Sequence, residues 1–248
     1  MWLFGGDKVV NFTTKETAHK AGGKLEVLGE LAACVAHEIR NPMTVVKGFL
    51  QLAGEQGNTP FKEYEKVIMT EIDRMDEYLE NLLLLANPQA AQHFQGKEEI
   101  DLFAEIKTAV KTLQTEAGKE GKKLQIHKQR EASCSIFVNR HYLKRITENI
   151  IKNAIEASQP SGVIKVVVDS ADNRARMRVI DTGTGIPAEK ITRLGEPFYS
   201  IKEKGTGLGL TICHKLVKAD SGELLIKSKE GWGTAVTVSF PMSPSLET

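Results

Sequence analysis

Apolar residues recur at helical spacing through the first third of the chain, and this pattern constrains the fold more than any other feature. From Lys24 to Ala53 the steps between apolar residues alternate four and three, as in a helix that buries one seam. The turn sequence GEQGNTP at 54–60 follows, and a second helical pattern runs from Phe61 to Ala86. Two long helices joined by a short turn predict an antiparallel hairpin.

The predicted hairpin cannot bury both of its apolar faces by itself. A second copy of the chain is the simplest cover, so we expect a homodimeric four-helix bundle. The seam residues are Leu28, Ala32, Val35, Ile39, Pro42, Val46 and Phe49 in the first helix, and Phe61, Tyr64, Ile68, Ile72, Met75, Leu79, Leu82 and Ala86 in the second.

Polar residues and a proline at 88–98 predict a linker between two domains. The hairpin domain would then occupy 24–87 and a second domain 99–248, with 1–23 as an N-terminal extension or the end of a preceding segment. Beyond the linker, short strand patterns such as LQIHK, SIFVN, VIKVVVDS and RARMRVID are interleaved with helical ones, and Asn139 can cap a helix that runs to about Ser158. These patterns predict one mixed sheet covered on one face by helices.

Composition excludes several classes of protein. The net charge of +1 argues against a general nucleic-acid or anionic-membrane surface. The three cysteines lie far apart, which argues against a disulfide framework or zinc site and fits a reducing compartment. The longest apolar run, LLLLA at 82–86, is far shorter than the roughly 20 residues that span a bilayer. We therefore expect this part of the protein to be cytoplasmic.

The segment HEIRNP at 37–42 places His37 outside the seam. The nearest seam residues are two positions away, about 200° around the helix, so the imidazole should point to solvent. A neutral imidazole is nucleophilic, and Glu38 can accept its other ring proton. Asn41 lies on the same face, while Pro42 loosens or bends the helix. The alternative is a surface histidine in a charged turn.

Three further segments carry candidate binding residues. In ENIIKNAIEA, Asn149, Asn153 and Glu156 share one helical face, and amide oxygens suit magnesium held together with substrate phosphates; two solvated amides are the alternative. In DTGTGIP, Asp181 ends a strand before a glycine-rich loop and could accept a hydrogen bond from an exocyclic amine; an ordinary turn is the alternative. GTGLGL precedes a helix, and its backbone donors suit phosphates. Its spacing fits neither a Rossmann nor a Walker loop.

The order of these segments resembles one family. HEIRNP, ENIIKNAIEA, DTGTGIP, EPFYSIK, GTGLGL and GWGTAVTVSFP are similar to the H, N, G1, F, G2 and terminal glycine boxes of sensor histidine kinases, over about residues 25–241. The variants NAIEA and KEKGTGLGL most resemble the sporulation kinases of endospore-forming bacteria, in particular the kinase B type. The resemblance implies α plus α/β architecture: a dimerization and histidine-phosphotransfer hairpin, then an α/β sandwich ATP-binding domain of the Bergerat type.

The resemblance assigns a role to each candidate residue. His37 would be the phosphoacceptor, Glu38 would polarise it, and Asn41 would position water when the kinase dephosphorylates its partner. Asn149 and Asn153 would hold Mg²⁺ and phosphate. The remaining nucleotide-site residues would be Glu156 beside them, Asp181, Gly183, Gly185 and Ile186 around adenine, Gly205, Thr206, Gly207, Leu208 and Gly209 around the phosphates, Lys202 on a lid, and Thr234 at the adenine end.

The implied activity is ATP-dependent autophosphorylation of His37, followed by transfer to an aspartate of a response regulator, as in two-component systems and the sporulation phosphorelay. ATP and Mg²⁺ are the implied cofactors. The implied partners are a second copy of the chain, a receiver domain and a small inhibitory protein docking on the bundle, with no nucleic acid; the full-length protein would be a candidate for membrane anchoring.

Several alternatives remain open at this point. Ser200 and Ile201 stand where relatives often have two threonines, and Lys204 could share the role of Lys202, so the lid contacts are the least defined. A clamp ATPase of the gyrase or mismatch-repair type would hydrolyse ATP without a phosphoenzyme. A non-enzymatic dimeric scaffold would only dock partners. A bifunctional kinase and phosphatase also fits, because Asn41 is present.

Overall fold

The computed structural model describes residues 8–11, 39–52, 62–86, 96–129, 134–197, 199–201 and 207–243. The chain divides into two compact units, Glu16–Ala91 and a second unit made of Met1–Lys15 with Gln92–Thr248. Within the described ranges, none of the helices combines the length and the hydropathy that crossing a bilayer requires.

The first unit contains the predicted helical hairpin. Helix α1 covers 39–52 and helix α2 covers Lys62–Ala86. The rings of Phe49 and Tyr64 pack together with centroids 5.3 Å apart. Pro42 is buried, and the seam residues Ile39, Val46 and Phe49 are half-buried. Leu79, predicted for the seam, is 45% exposed in the single chain, as expected of an apolar residue that a second hairpin would cover in a dimer. The predicted turn at 54–60 and the predicted helix start at Lys24 lie outside the described residues.

The second unit is built on a six-stranded mixed sheet with the strand order β1-β7-β8-β6-β5-β3. Among the described strands, β3 and β5 alone pair in parallel, and β2 and β4 form a separate antiparallel pair. The strand bounds are β1 Lys8–Asn11, β2 Glu98–Asp101, β3 Lys123–Lys128, β4 Ser135–Val138, β5 Val163–Ala171, β6 Arg174–Asp181, β7 Glu223–Lys229 and β8 Gly233–Pro241.

Helices cover one face of this sheet, as the sequence predicts. Along β6 every second residue is buried, with Ala175, Met177 and Val179 on the helix side and Arg176 and Arg178 on the other face. The helix bounds are α3 Leu102–Lys119, α4 Arg140–Ala157, α5 Ala188–Ile191 and α6 Gly209–Ala219. The α/β layer therefore has one packed face.

Four elements of this unit, β1, β2, α3 and α5, were not among those predicted. Helix α3 begins where the Asp101 side chain accepts a hydrogen bond from the Ala104 N–H at 3.1 Å, and it buries Leu102, Ile106 and Val110. Strand β1 lies in the segment predicted as an N-terminal extension and pairs with β7, Lys8 opposite Ser228. The edge strand of the sheet thus comes from the chain ahead of the hairpin.

Candidate functional site

Helix α4 carries the first part of the candidate site. Asn139 caps its first turn by accepting a hydrogen bond from the Tyr142 N–H at 3.1 Å, and the helix buries an isoleucine-rich face. On its other side the Asn153 Nδ2 donates to the Asn149 Oδ1 at 2.9 Å. Both amides are half-buried and Glu156, one turn further on, is exposed. The sequence-predicted trio therefore shares one face, with the two amides joined.

The N-terminus of α6 lies directly against Asn149. A Cβ placed on Gly209 would lie 2.6 Å from the Asn149 Nδ2, so a larger residue here would displace the Asn149 amide. Leu208, the N-cap residue of α6, provides no side-chain hydrogen bond to the first turn, and the first N–H groups of the helix carry the positive end of its dipole. Leu208, the residue before the helix, is buried and Gly207 has a φ of +69°. The arrangement places backbone donors beside the paired amides, which suits phosphate oxygens.

Asp181 forms the opposite end of the site. Its side chain is buried, and its Oδ1 accepts the Gly183 N–H at 2.9 Å and the Thr234 N–H at 3.2 Å. Burial raises the pKa of this carboxyl above its ordinary value, while the two N–H bonds act in the opposite direction. Both bonds engage Oδ1, so Oδ2 is the oxygen that can accept a hydrogen bond from a ligand amine.

Close backbone packing holds the Asp181 loop against its neighbours. A Cβ on Gly183 would lie 2.2 Å from the Ala157 carbonyl oxygen, at the end of α4. Gly185 has a φ of +65°, and its Cβ would lie 2.0 Å from the Lys229 carbonyl oxygen. The Gly231 N–H also donates to the Thr184 carbonyl at 2.7 Å. The loop is thus fixed between α4 and the β7–β8 turn.

Ser228 is a supporting residue that the sequence analysis missed. Its Oγ accepts the Ile186 N–H at 2.9 Å, donates to the Gly233 carbonyl at 3.0 Å, and lies 2.8 Å from the Thr234 Oγ1. It therefore joins three residues that surround Asp181. Ser228 is buried near the end of β7, and no sequence signal identifies it because its partners lie across the sheet and in the loop after β6.

About eight helical residues separate the two ends of the site along α4, from Ala157 beside the Asp181 loop to Asn149 beside α6. At about 1.5 Å per residue this is about 12 Å, a span that suits an extended nucleoside triphosphate. Asn41 is exposed on α1 in the other unit. Five predicted site residues lie outside the described part of the chain: His37, Glu38, Lys202, Gly205 and Thr206.

The donor set is compatible with magnesium held partly by a substrate. Magnesium usually takes one or two protein oxygens, with phosphates and waters completing its shell. The joined amides of Asn149 and Asn153 offer such oxygens beside the donors of α6. In the described residues, no group of three or more histidine, cysteine, aspartate or glutamate side chains could hold a metal on its own.

Each of the two units matches a different family of known protein domains. Residues 138–244 match the family described as "Histidine kinase-, DNA gyrase B-, and HSP90-like ATPase", which covers the site just described. That family includes both kinases and clamp ATPases. Residues 27–91 match the "His Kinase A (phospho-acceptor) domain". The chain belongs to the sensor histidine kinases. The predicted family and two-part fold are confirmed, and the α/β unit is an ATP-binding domain of this class.

Individual sensor histidine kinases resemble the chain along most of its length. "Sporulation kinase C" of Bacillus subtilis (strain 168) is 40% identical over 88% of this chain. "Sporulation kinase B" of the same strain is 33% identical over 88%, so the B type is not favoured over its relatives. The chain spans half the length of each. A solved structure of the histidine kinase ThkA in complex with the response regulator protein TrrA is 25% identical, with a TM-score of 0.61, and covers 92% of this chain and 66% of that one.

Proposed function

We propose that this sensor histidine kinase uses ATP to phosphorylate His37 and passes the phosphoryl group to an aspartate of a receiver domain. The observation that carries the proposal is the contact between Asn149 and Gly209, which brings the amide pair of α4 to the donors of α6. Phosphoryl transfer depends mainly on positioning and charge stabilisation, and this site supplies both. The His Kinase A match includes His37 and supports that residue as the acceptor.

Each part of the site has one task in this proposal. The Asp181 Oδ2 accepts the exocyclic amine of adenine, while the Gly183 and Thr234 N–H groups hold the carboxylate in place. The N–H groups at the start of α6 bind phosphate oxygens. On the hairpin, Glu38 accepts the ring proton that leaves the attacking His37 nitrogen free, and Asn41 positions water if the same protein also removes the phosphoryl group from its regulator.

We assign Mg²⁺ to Asn149 and Asn153, where its bound charge would neutralise that of the phosphates. Replacing Asn153 by alanine removes one ligand and the hydrogen bond that orients Asn149. We expect the affinity for ATP in the presence of Mg²⁺ to fall about tenfold, and the affinity without Mg²⁺ to change little. Isothermal titration with and without Mg²⁺ measures both. Gln125→Ala, at an exposed amide on β3, is the matched control. An unchanged Mg²⁺ dependence in Asn153→Ala contradicts the assignment.

The partners are inferred from the same observations. Exposed apolar residues along α2 support a homodimer through the hairpin. The complex of ThkA with TrrA supports a receiver domain as the phosphoryl acceptor of this chain. The similarity to sporulation kinases supports a regulator of a sporulation phosphorelay. A small inhibitory protein on the bundle and membrane anchoring of the full-length protein stay predictions.

Labelling with γ-³²P-ATP tests the proposed activity. We expect label on the protein itself, and its loss from the protein with matching gain on a receiver domain added afterwards. A clamp ATPase predicts released phosphate without labelled protein, and a scaffold predicts neither. Mixing a His37 variant with an Asn153 variant then distinguishes phosphorylation within a subunit from phosphorylation between subunits.

A further inference from the structure

A buried carboxylate lies at the end of α6 where helix electrostatics disfavours it. Asp220 follows the last residue of α6 and is 4% exposed. The carbonyl groups at a helix C-terminus carry partial negative charge, and a buried carboxylate costs free energy unless it is paired. A residue that breaks a local rule in this way indicates a role that offsets its cost.

Both oxygens of the Asp220 carboxylate have specific partners. The Lys97 Nζ lies 2.9 Å from Oδ1 and also donates to the Ala219 carbonyl at 3.1 Å. The Asn139 N–H donates to Oδ2 at 3.2 Å. The ammonium of Lys97 thereby compensates both the carboxylate and the end of the helix. Lys97, Asp220 and Asn139 form one three-way contact, called here the α6 junction.

The α6 junction joins both helices of the nucleotide site. Asn139 caps α4, the helix that carries Asn149 and Asn153. Asp220 ends α6, whose first residue, Gly209, packs on Asn149. Helices α4 and α6 therefore contact each other at both ends of α6, through the α6 junction at its C-terminus and through Gly209 at its N-terminus.

Lys97 connects this arrangement to the linker. It immediately precedes β2, and the β2–β4 register places Glu98 opposite Val138, so Lys97 and Asn139 are neighbours at the end of that strand pair. Lys97 is also the second-to-last residue of the predicted linker at 88–98, next to the predicted start of the ATPase unit. An ion pair with a carboxylate that is 2% exposed at the side chain fixes the position of this chain end more firmly than a surface pair would.

We propose that Lys97 and Asp220 are positioning residues for phosphoryl transfer to His37. The α6 junction anchors the end of the linker to the two helices that hold ATP, so that the orientation of the bound nucleotide follows the linker. This inference rests on the proposed kinase function. The affinity for ATP then depends on α4 and α6 themselves, whereas the rate of phosphoryl transfer to the hairpin also depends on the anchored linker.

Substitution of Lys97 tests the proposal on the full chain. Lys97→Met removes the ammonium and leaves the Asp220 to Asn139 bond. We expect autophosphorylation at saturating Mg²⁺ and ATP to slow at least about fivefold, with the dissociation constant of ATP unchanged within a factor of two. Lys97→Arg should restore most of the rate. Lys144→Met, at an exposed lysine of α4 that lies 4.0 Å from Glu148, is the control and should match the wild type.

A double-mutant cycle tests whether the two residues act through one contact. Asp220→Asn keeps an oxygen for the Asn139 N–H but removes the charge that Lys97 needs. We expect Asp220→Asn to slow transfer like Lys97→Met, and the double variant to be no slower than either. A double variant whose transfer rate falls by the product of the two single effects would overturn the proposal. Variants that unfold at a lower temperature but keep the wild-type rate at saturating ATP would also overturn it. Absence of label on the wild-type protein would instead contradict the proposed function itself.

Discussion

At the scale of single residues, Asp181 shows how a binding role can oppose stability. Its carboxylate is buried, and desolvation raises its pKa. The folded state therefore favours the protonated form more than the unfolded state does. The stability contributed by this preference is present below the ordinary pKa of aspartate, about 3.9, and is lost as pH rises through the elevated pKa of the folded state.

Replacing Asp181 by asparagine removes the free-energy cost of burying a charged carboxylate, and it also removes the proposed contact with adenine. At pH 7 and without nucleotide, we expect Asp181→Asn to unfold at a higher urea concentration than the wild type. The difference should shrink as pH falls through the elevated pKa. ATP affinity should fall about 10- to 100-fold, because a hydrogen bond to a charged group contributes about 1.5–3 kcal/mol. Urea unfolding between pH 4 and 8 and ATP titration measure the two effects; wild-type ATP affinity in this variant contradicts the assigned role.

At the scale of elements, the glycine-rich loop after β6 depends on backbone contacts that side chains would prevent. Gly185→Ala puts a Cβ into a left-handed conformation and onto the Lys229 carbonyl. We expect a loss of about 1–3 kcal/mol in the free energy of unfolding and at least a tenfold loss in ATP affinity. Thermal unfolding and nucleotide titration provide the two readouts.

Gly118 supplies the matched control for this loop. It lies within α3, and a Cβ there would have no heavy atom within 4 Å. Gly118→Ala should stabilise the protein by up to about 1 kcal/mol and leave ATP binding unchanged. Equal behaviour of the two alanine variants would show that the loop does not need glycine at position 185.

The elements themselves differ in how well the sequence predicts them. Helix α4 could be predicted because Asn139, its isoleucine face and its end at Ser158 all agree. The β5–β6 hairpin could be predicted because Asp172 and Asn173 accept the positive φ of its turn. Helix α3 was not predicted, although Asp101 precedes an apolar series at helical spacing, because this segment carries no chemical motif. Ser228 was missed because its role depends on contacts across the sheet that spacing does not encode.

At the scale of the whole molecule, the order of motifs predicted more than any single motif did. Each of the candidate segments has an ordinary alternative, but the sequence of boxes predicted both the family and the division into hairpin and ATPase units. The pairing of β1 with β7 could not be predicted, because four residues ahead of the hairpin carry no strong strand pattern. The α6 junction likewise joins residues about 80 and 120 positions apart, and only the folded chain brings them together.

The hairpin surface makes a prediction for the assembly. Leu79 and Leu83 lie one turn apart on α2 and are 45% and 49% exposed. Placing glutamate at both positions should convert a homodimer into a monomer, because two charges would be buried in the bundle without partners. Light scattering after size exclusion measures the mass. Phe137→Glu, at an apolar residue of β4 that is 58% exposed, is the control and should remain a dimer. A dimeric Leu79→Glu, Leu83→Glu variant would place the dimer interface elsewhere.

In the proposed kinase reaction, the phosphoryl group of ATP is transferred to His37. Its most direct test is incorporation of γ-³²P by the wild type, by His37→Gln and by His127→Gln, an exposed histidine on β3. ATP affinity should be equal in all three proteins. We predict full labelling of the wild type and His127→Gln and none of His37→Gln; labelling of His37→Gln at the wild-type level would contradict the account.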